Sequence, residues 1–265
     1  MVPAAISRSS TLGTLAVAAR PTWLFAVAYA LSITPHETVH ALTAYLLGFN
    51  ATIYQMWVNP DQAAATPRQL AIVAAAGPIF SLLVGAICWR LYASRFRLRP
   101  SGLVFLLLAL VGIDSFLGPM VGAPVGGDFH VALQFLGAPG WIGLVVCCTG
   151  IVLLPFFMFL MGWELAGWVP QEFGRLNSVL CATVYPATLG TLFILILYWP
   201  LPGMLITSTI AGTAIWVFAV IGAAWGFKRA QPDRTLAAGT RADLVIAIAA
   251  VVMVRVFAMG IRLAH

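Results

Sequence analysis

An all-α polytopic membrane protein is predicted by three observations on this sequence. Hydrophobic residues fill 62% of its 265 positions and charged residues only 8%, against about a quarter charged in an ordinary soluble domain. About seven stretches of 18 or more residues are nearly free of charge, the length that carries a helix across a hydrocarbon core. No connection between them exceeds roughly 20 residues, too short for a separate soluble module of about 50. A soluble globular protein is excluded, and function is expected in or beside the bilayer.

Residues 1–21 read as a lead-in, because the run from Thr11 to Ala19 is too short to span before Arg20 and Pro21. The predicted spans are residues 22–48, 69–91, 102–121, 141–163, 178–199, 204–226 and 244–261. Between the first two, Ala51 to Val58 is rich in β-branched and aromatic residues and is followed by the turn-like Asn59-Pro60-Asp61, which predicts a short strand or hairpin at the membrane surface. Residues 22–140 carry the motifs described below, and residues 141–265 add further helices. The two halves share no matching broken helices of the kind that mark an inverted-repeat transporter.

The net charge of +6 encodes orientation rather than an acidic partner, and a nucleic-acid role has no support. Arg8, Arg20, Arg90, Arg95, Arg97, Arg99, Arg175, Lys228, Arg229, Arg234 and Arg241 flank one side, whereas Arg68 and Arg262 flank the other. That asymmetry predicts a cytoplasmic N-terminus. Cys88, Cys147, Cys148 and Cys181 fall inside apolar spans at no metal-like spacing and read as buried small hydrophobes.

The first span contains Pro35-His36-Glu37-Thr38-Val39-His40. Residues four apart share a helix face, so His36 and His40 present two imidazoles to one metal while Glu37 stands beside it as a base for water. Zinc is the ion this set most favours. Shuffled chains of this composition would carry the pattern roughly once in two thousand, and three ionisable groups in mid-span are costly without a purpose. Pro35 predicts a kink or restart of the helix, with Thr34 and Glu37 matching a capping box.

A catalytic zinc site has three protein ligands and an open position. Asp61, Asp114, Asp128, His130, Glu164 and Glu172 are the candidates for the third. Asp128 ranks first, because it follows a span running the same way as the first, and the glycines and prolines of Gly118 to Gly127 let extended backbone fold towards the metal. His130 is an alternative ligand. Asp114 suits either an acceptor that orients a histidine or a partner for Arg255.

These residues resemble the site-2 proteases, zinc metalloproteases that cut substrates within the membrane. His36-Glu37-x-x-His40 followed by Ala44 and Gly48 is similar to that family's zinc helix. Ala76-Gly77-Pro78 looks like its Ala-Gly-Pro segment, and Leu117-Gly118-Pro119 leading to Gly127-Asp128 looks like its Leu-Leu-Pro stretch leading to Asp-Gly. The resemblance covers roughly residues 22–135. It implies a three-helix core with added C-terminal helices, His36, His40 and Asp128 as Zn2+ ligands, and Glu37 as general base. It also implies a membrane-protein substrate helix as partner.

The sequence departs from the family at Ser81, where Asn is usual, at Phe129, where Gly is usual, and at Asp114, near a common Asn. Ser81, Asp114 and His130 are therefore candidates for supporting or substrate-contacting roles. The family's site usually opens to the cytosol, whereas the arginine count places this one near the outer face. Since peptide hydrolysis requires an unwound substrate, Ala51 to Val58 is expected to pair with extended substrate by strand addition. The competing reading is a non-catalytic, protease-like subunit held with other membrane subunits, motivated by the altered Asn positions and the unmatched C-terminal spans.

Overall fold

The computed structural model describes residues 11–169, 174–200, 203–227 and 241–264. Among them, five helices are long and apolar enough to cross a membrane, and the protein is an all-α membrane protein. The first of the five is the Val17–Leu46 part of α1 (Thr11–Leu46). The second is α2 (Pro67–Leu91), prolonged by a π-helical turn at Tyr92–Phe96. The others are α3 (Gly102–Gly122), α5 (Gly140–Ala166) and α6 (Gly174–Leu197), with the short α4 (Asp128–Phe135) between α3 and α5.

Two of the expected spans fall short of this standard. The run at 204–226 is divided into α7 (Gly203–Gly212), a 3-10 turn at Thr213–Ile215, and α8 (Trp216–Gly226). The run at 244–261 forms α9 (Arg241–Ala258), which includes Arg241, Asp243 and Arg255 in its 18 residues, and the chain then leaves helix for a strand.

Two expectations at the start of the chain are corrected. The run from Thr11 is not a separate lead-in but the opening of α1, and α1 passes through Pro35 without restarting. Thr34 consequently caps nothing; its hydroxyl lies 3.5 Å from the Gln55 carbonyl. Thr38 donates to the Thr34 carbonyl at 2.8 Å, one turn back in the same helix.

The chain divides into two compact units. One comprises residues up to Ala28, Arg90–Leu107 and Pro155–Ala247; the other comprises Tyr29–Trp89, Leu108–Leu154 and the residues from Ile248 onward. In the first, the Arg20 side chain is 6% exposed and its Nε donates to Asp243 Oδ2 at 3.0 Å, while Nη2 reaches the Pro100 carbonyl. Arg20, counted above as a flanking charge, is therefore a buried partner. Glu164 accepts from Tyr92 Oη at 2.7 Å and from Arg97 Nη2 at 2.6 Å. Side chains at Gly162, Gly222 and Gly226 would run into backbone of the facing helix, so α5 and α8 pack through their small residues.

The second unit holds a three-stranded sheet beside α1 and α2. β1 (Ala51–Ile53) and β2 (Val58–Pro60) form the expected hairpin, closed by Tyr54 N–H donating to the Trp57 carbonyl at 2.8 Å. β3 (Ile261–Leu263) pairs antiparallel with the other edge of β1, giving the order β2-β1-β3. Alternation puts Ala51 and Ile53 on one face, where they pack with Ala41, Ala44, Phe49, Leu70 and Val73. In the same unit α2 crosses α3 at Gly85 and Gly112, whose backbones meet. A Cβ at Gly112 would lie 2.9 Å from Gly85 Cα and from the Ser81 carbonyl.

Of the four cysteines, all free, Cys88 and Cys181 are buried as expected, whereas Cys147 is half-buried and Cys148 is exposed on the outward side of α5.

Candidate metal centre

His36 and His40 stand one turn apart on α1, and both are 5% exposed. Their Nε2 atoms lie 3.0 Å from each other. The other nitrogen of each ring is held by α2. His40 Nδ1 donates to the Val73 carbonyl at 2.6 Å, and His36 Nδ1 lies 2.8 Å from Ser81 Oγ. Pro78 brings no N–H to its turn of α2 and its ring crowds the preceding one, which loosens the helix next to the carbonyl that His40 uses.

Gly77 lies directly under the two rings. A Cβ there would collide with His40 Nε2 and would stand 2.6 Å from His36 Nε2. Only glycine lets α2 approach α1 this closely, which gives the Ala76-Gly77-Pro78 segment a physical reason.

Asp128 is brought in by the turn after α3. α3 continues to Gly122 through Pro119, so the extended segment expected from Gly118 is limited to the turn that follows. Gly127 closes that turn at φ +85°, a conformation that side chains resist. Asp128 is the first residue of α4, where the free amides of a helix start favour a carboxylate. Its Oδ2 is 3.2 Å from His36 Nε2 and its Oδ1 is 3.7 Å from His40 Nε2. Burial alone would raise the Asp128 carboxyl. Hydrogen bonds and charge from His36 and His40 outweigh it and hold the group well below the usual carboxylate range.

The donor set of this cluster could hold a cation. A carbonyl oxygen only accepts, so His40 Nδ1 carries the hydrogen and Nε2 of the neutral ring is a lone pair. A hydrogen on His36 Nδ1, donated to Ser81, frees its Nε2 in the same way. In that protonation state two ring lone pairs and a carboxylate face one another, an arrangement suited to a divalent ion; without an ion, hydrogens on the Nε2 side supply the hydrogen bonds and charge that act on Asp128. A proton relieves one of these contacts; a divalent ion relieves all three.

Size agrees with charge. Ligands about 2.0–2.1 Å from a tetrahedral zinc stand about 3.3 Å apart; here the two Nε2 atoms are 3.0 Å apart, Asp128 Oδ2 is 3.2 Å from His36 Nε2, and the other oxygen, Oδ1, is 3.7 Å from His40 Nε2. The three donors lie within 4.8 Å of one another. Asp128 retains 32% side-chain exposure, so the cluster is open on its side. Glu37 is half-buried and within electrostatic reach of His36, His40 and Asp128.

The remaining candidates are placed elsewhere. Ser81 is an orienting partner of His36. His130 donates through Nδ1 to the Ala123 carbonyl at 3.1 Å and ties down the turn before α4. Phe129 packs edge-on against Phe116 of α3, ring centroids 5.4 Å apart, and so anchors α4.

Asp114 does not orient a histidine, because both outer ring nitrogens are already taken by Ser81 and Val73. Asp61 is exposed, and its backbone N–H donates to the Asn50 carbonyl at 2.8 Å. Glu164 is committed to Tyr92 and Arg97, and Glu172 lies outside the described residues. Two contributors were not singled out from sequence as parts of the centre: the Val73 carbonyl, which carries no residue signature, and the bare Gly77 backbone, whose motif was visible but not its task.

The strand-addition expectation needs revision. β1 is central, with β2 on one edge and β3 on the other, so it offers no open edge to an incoming strand. Compared with known proteins, the chain matches no family model, no curated sequence and no solved structure.

Proposed function

We propose that the protein is a zinc-dependent intramembrane protease that hydrolyses a peptide bond of a membrane-embedded substrate. The observation that carries this reading is the grouping of His36, His40 and Asp128, which each bring one ligand atom within 4.8 Å of the others, with Glu37 next to His36 on the same helix.

His36, His40 and Asp128 would hold the ion. Zinc, when bound, supplies Lewis acidity that polarises the scissile carbonyl and makes water acidic enough to attack near neutral pH. Glu37 takes the proton from the attacking water and passes it to the leaving amide nitrogen. Ser81 and the Val73 carbonyl keep the two rings in the tautomer and orientation that ligation requires. The apolar walls of α1 and α2 limit bulk water, and the open side at Asp128 admits the water that is consumed.

The remaining features belong to the same proposal. Seven crossings result if α7 with α8, and then α9, also traverse the membrane, and the basic flanks then place the N-terminus in the cytoplasm. Reporter fusions in the turn at residues 123–127 determine which face the centre opens to.

The test is metal content and cleavage measured together. Purified wild type is expected to carry about one zinc per chain, with His36→Ala and Asp128→Ala losing it. Glu37→Gln is expected to keep the zinc and lose proteolysis of a reconstituted transmembrane substrate by at least a hundredfold. Metal-free wild type after chelator-free purification, or full cleavage by Glu37→Gln, would overturn the reading.

A further inference from the structure

β1 has two neighbours of different standing. β2 is joined to it by a tight hairpin, is further held by Asp61 N–H donating to the Asn50 carbonyl, and ends at Pro60, which has no donor to offer a further strand. β3 comes from the far end of the sequence, is three residues long, and enters through Gly260 at φ +75°. None of its residues is fully buried.

The edge that β3 covers lies beside the candidate metal centre. Ile53 and Ala51 pack on Ala41, Ala44 and Val73, the last being the residue whose carbonyl fixes His40. Leu263 packs against this cluster, as does Phe135 of α4, the helix that begins with Asp128. The hairpin itself touches α1 at Thr34, two residues before His36.

We infer that β3 sits on the strand-docking edge of β1 and that an extended substrate segment displaces it to bind there. This deepens the protease reading and rests on it. β3 also shows what the edge accepts. Ile261 and Leu263 stand opposite Ile53 and Ala51, on the face that meets the apolar cluster, while Arg262 stands opposite Thr52, exposed, beside a polar groove with Asn59 and Asp61. The substrate class is therefore an unwound segment with the pattern apolar, polar, apolar, running antiparallel to β1. A short strand held mainly by one neighbour opens at far lower cost than the helical core, which is the property a displaceable occupant needs.

The experiment uses the full chain with Glu37→Gln, so that binding is read without turnover. The probe is a synthetic apolar-polar-apolar peptide with a photo-reactive side chain, and its cross-linking to residues 51–53 is mapped by mass spectrometry. Thr52→Cys with Arg262→Cys, in a chain with Cys147 and Cys148 replaced by alanine, locks β3 in place under oxidation. The lock is expected to cut cross-linking at least tenfold and reductant to restore it; Ile261→Asp with Leu263→Asp, which loosens β3, is expected to raise it severalfold.

Equal cross-linking with the lock closed and open would overturn the proposal, because substrate would then be adding outside β3 instead of replacing it. Absence of cross-linking in every form would overturn it too. Cross-linking that obeys the lock, together with no cleavage by a chain retaining Glu37, supports the docking edge and refutes the protease reading alone.

Discussion

At Gly77 a single hydrogen atom in place of a methyl group decides whether the two histidines of α1 can lie against α2. Gly77→Ala is expected to abolish zinc retention while leaving the helical circular dichroism unchanged, since the methyl would meet imidazole nitrogens and not the core. Ser81→Ala acts less directly. It removes the partner of His36 Nδ1, and zinc affinity is expected to fall about 10- to 100-fold, measurable by competition with a chromophoric chelator. The grouping of His36, His40 and Asp128 was legible because the chemistry of the proposed ligands confines the choice: few side chains bind zinc, and His36 and His40 stand out by their spacing. Asp128 was legible through its glycine-rich approach. The Val73 carbonyl was not, because every residue has one.

Among the elements, the crossing of α2 with α3 has the most at stake, since Ser81 lies one turn from the contact. Gly112→Val would drive a side chain into Gly85 and the Ser81 carbonyl, and overpacking of this kind costs about 1–3 kcal/mol. Thermal unfolding in detergent is expected to show that loss, with reduced zinc retention. Gly118→Val is the matched control and should be close to neutral, because nothing lies within 4 Å of the position. The long helices were readable from their apolar runs. The division of residues 203–226 was not, since no charge or proline interrupts that stretch, and the tightening at Thr213–Ile215 is a matter of backbone geometry alone. β3 was equally hidden: three residues carry no periodicity, and their partner lies near the opposite end of the sequence. Of the kink or restart expected at Pro35, the restart does not occur, since α1 runs on through it, tertiary packing overriding a local preference.

For the molecule as a whole, the informative pair is Arg20 with Asp243, 223 positions apart in sequence and almost fully buried. Sequence reading assigned Arg20 to the positively charged flank, because a charge at the edge of an apolar run is ordinarily topological and its partner cannot be inferred at that distance. Removing one member takes an ion-pair partner from a buried charge. Arg20→Ala is expected to destabilise the protein by about 3–5 kcal/mol, and Arg20→Ala with Asp243→Asn by less than the sum of the two single changes. Thermal denaturation of all three variants in the same detergent gives the comparison; strict additivity would mean that the pair is not coupled.

The spacing of partners along the chain also sets an order of events during synthesis. Even its most apolar stretch leaves α1 the least hydrophobic of the five long helices, with a mean hydropathy of 1.2 against 2.0–2.6 in the others, and α1 also carries His36, Glu37 and His40. It leaves the ribosome first. Asp128 follows His36 by 92 residues, roughly 5–20 seconds later at ordinary rates of elongation, and Asp243 follows later still. Until then α1 holds its polar groups without the residues that answer them, so its entry into the bilayer depends on shelter from the insertion machinery or on the arrival of α2.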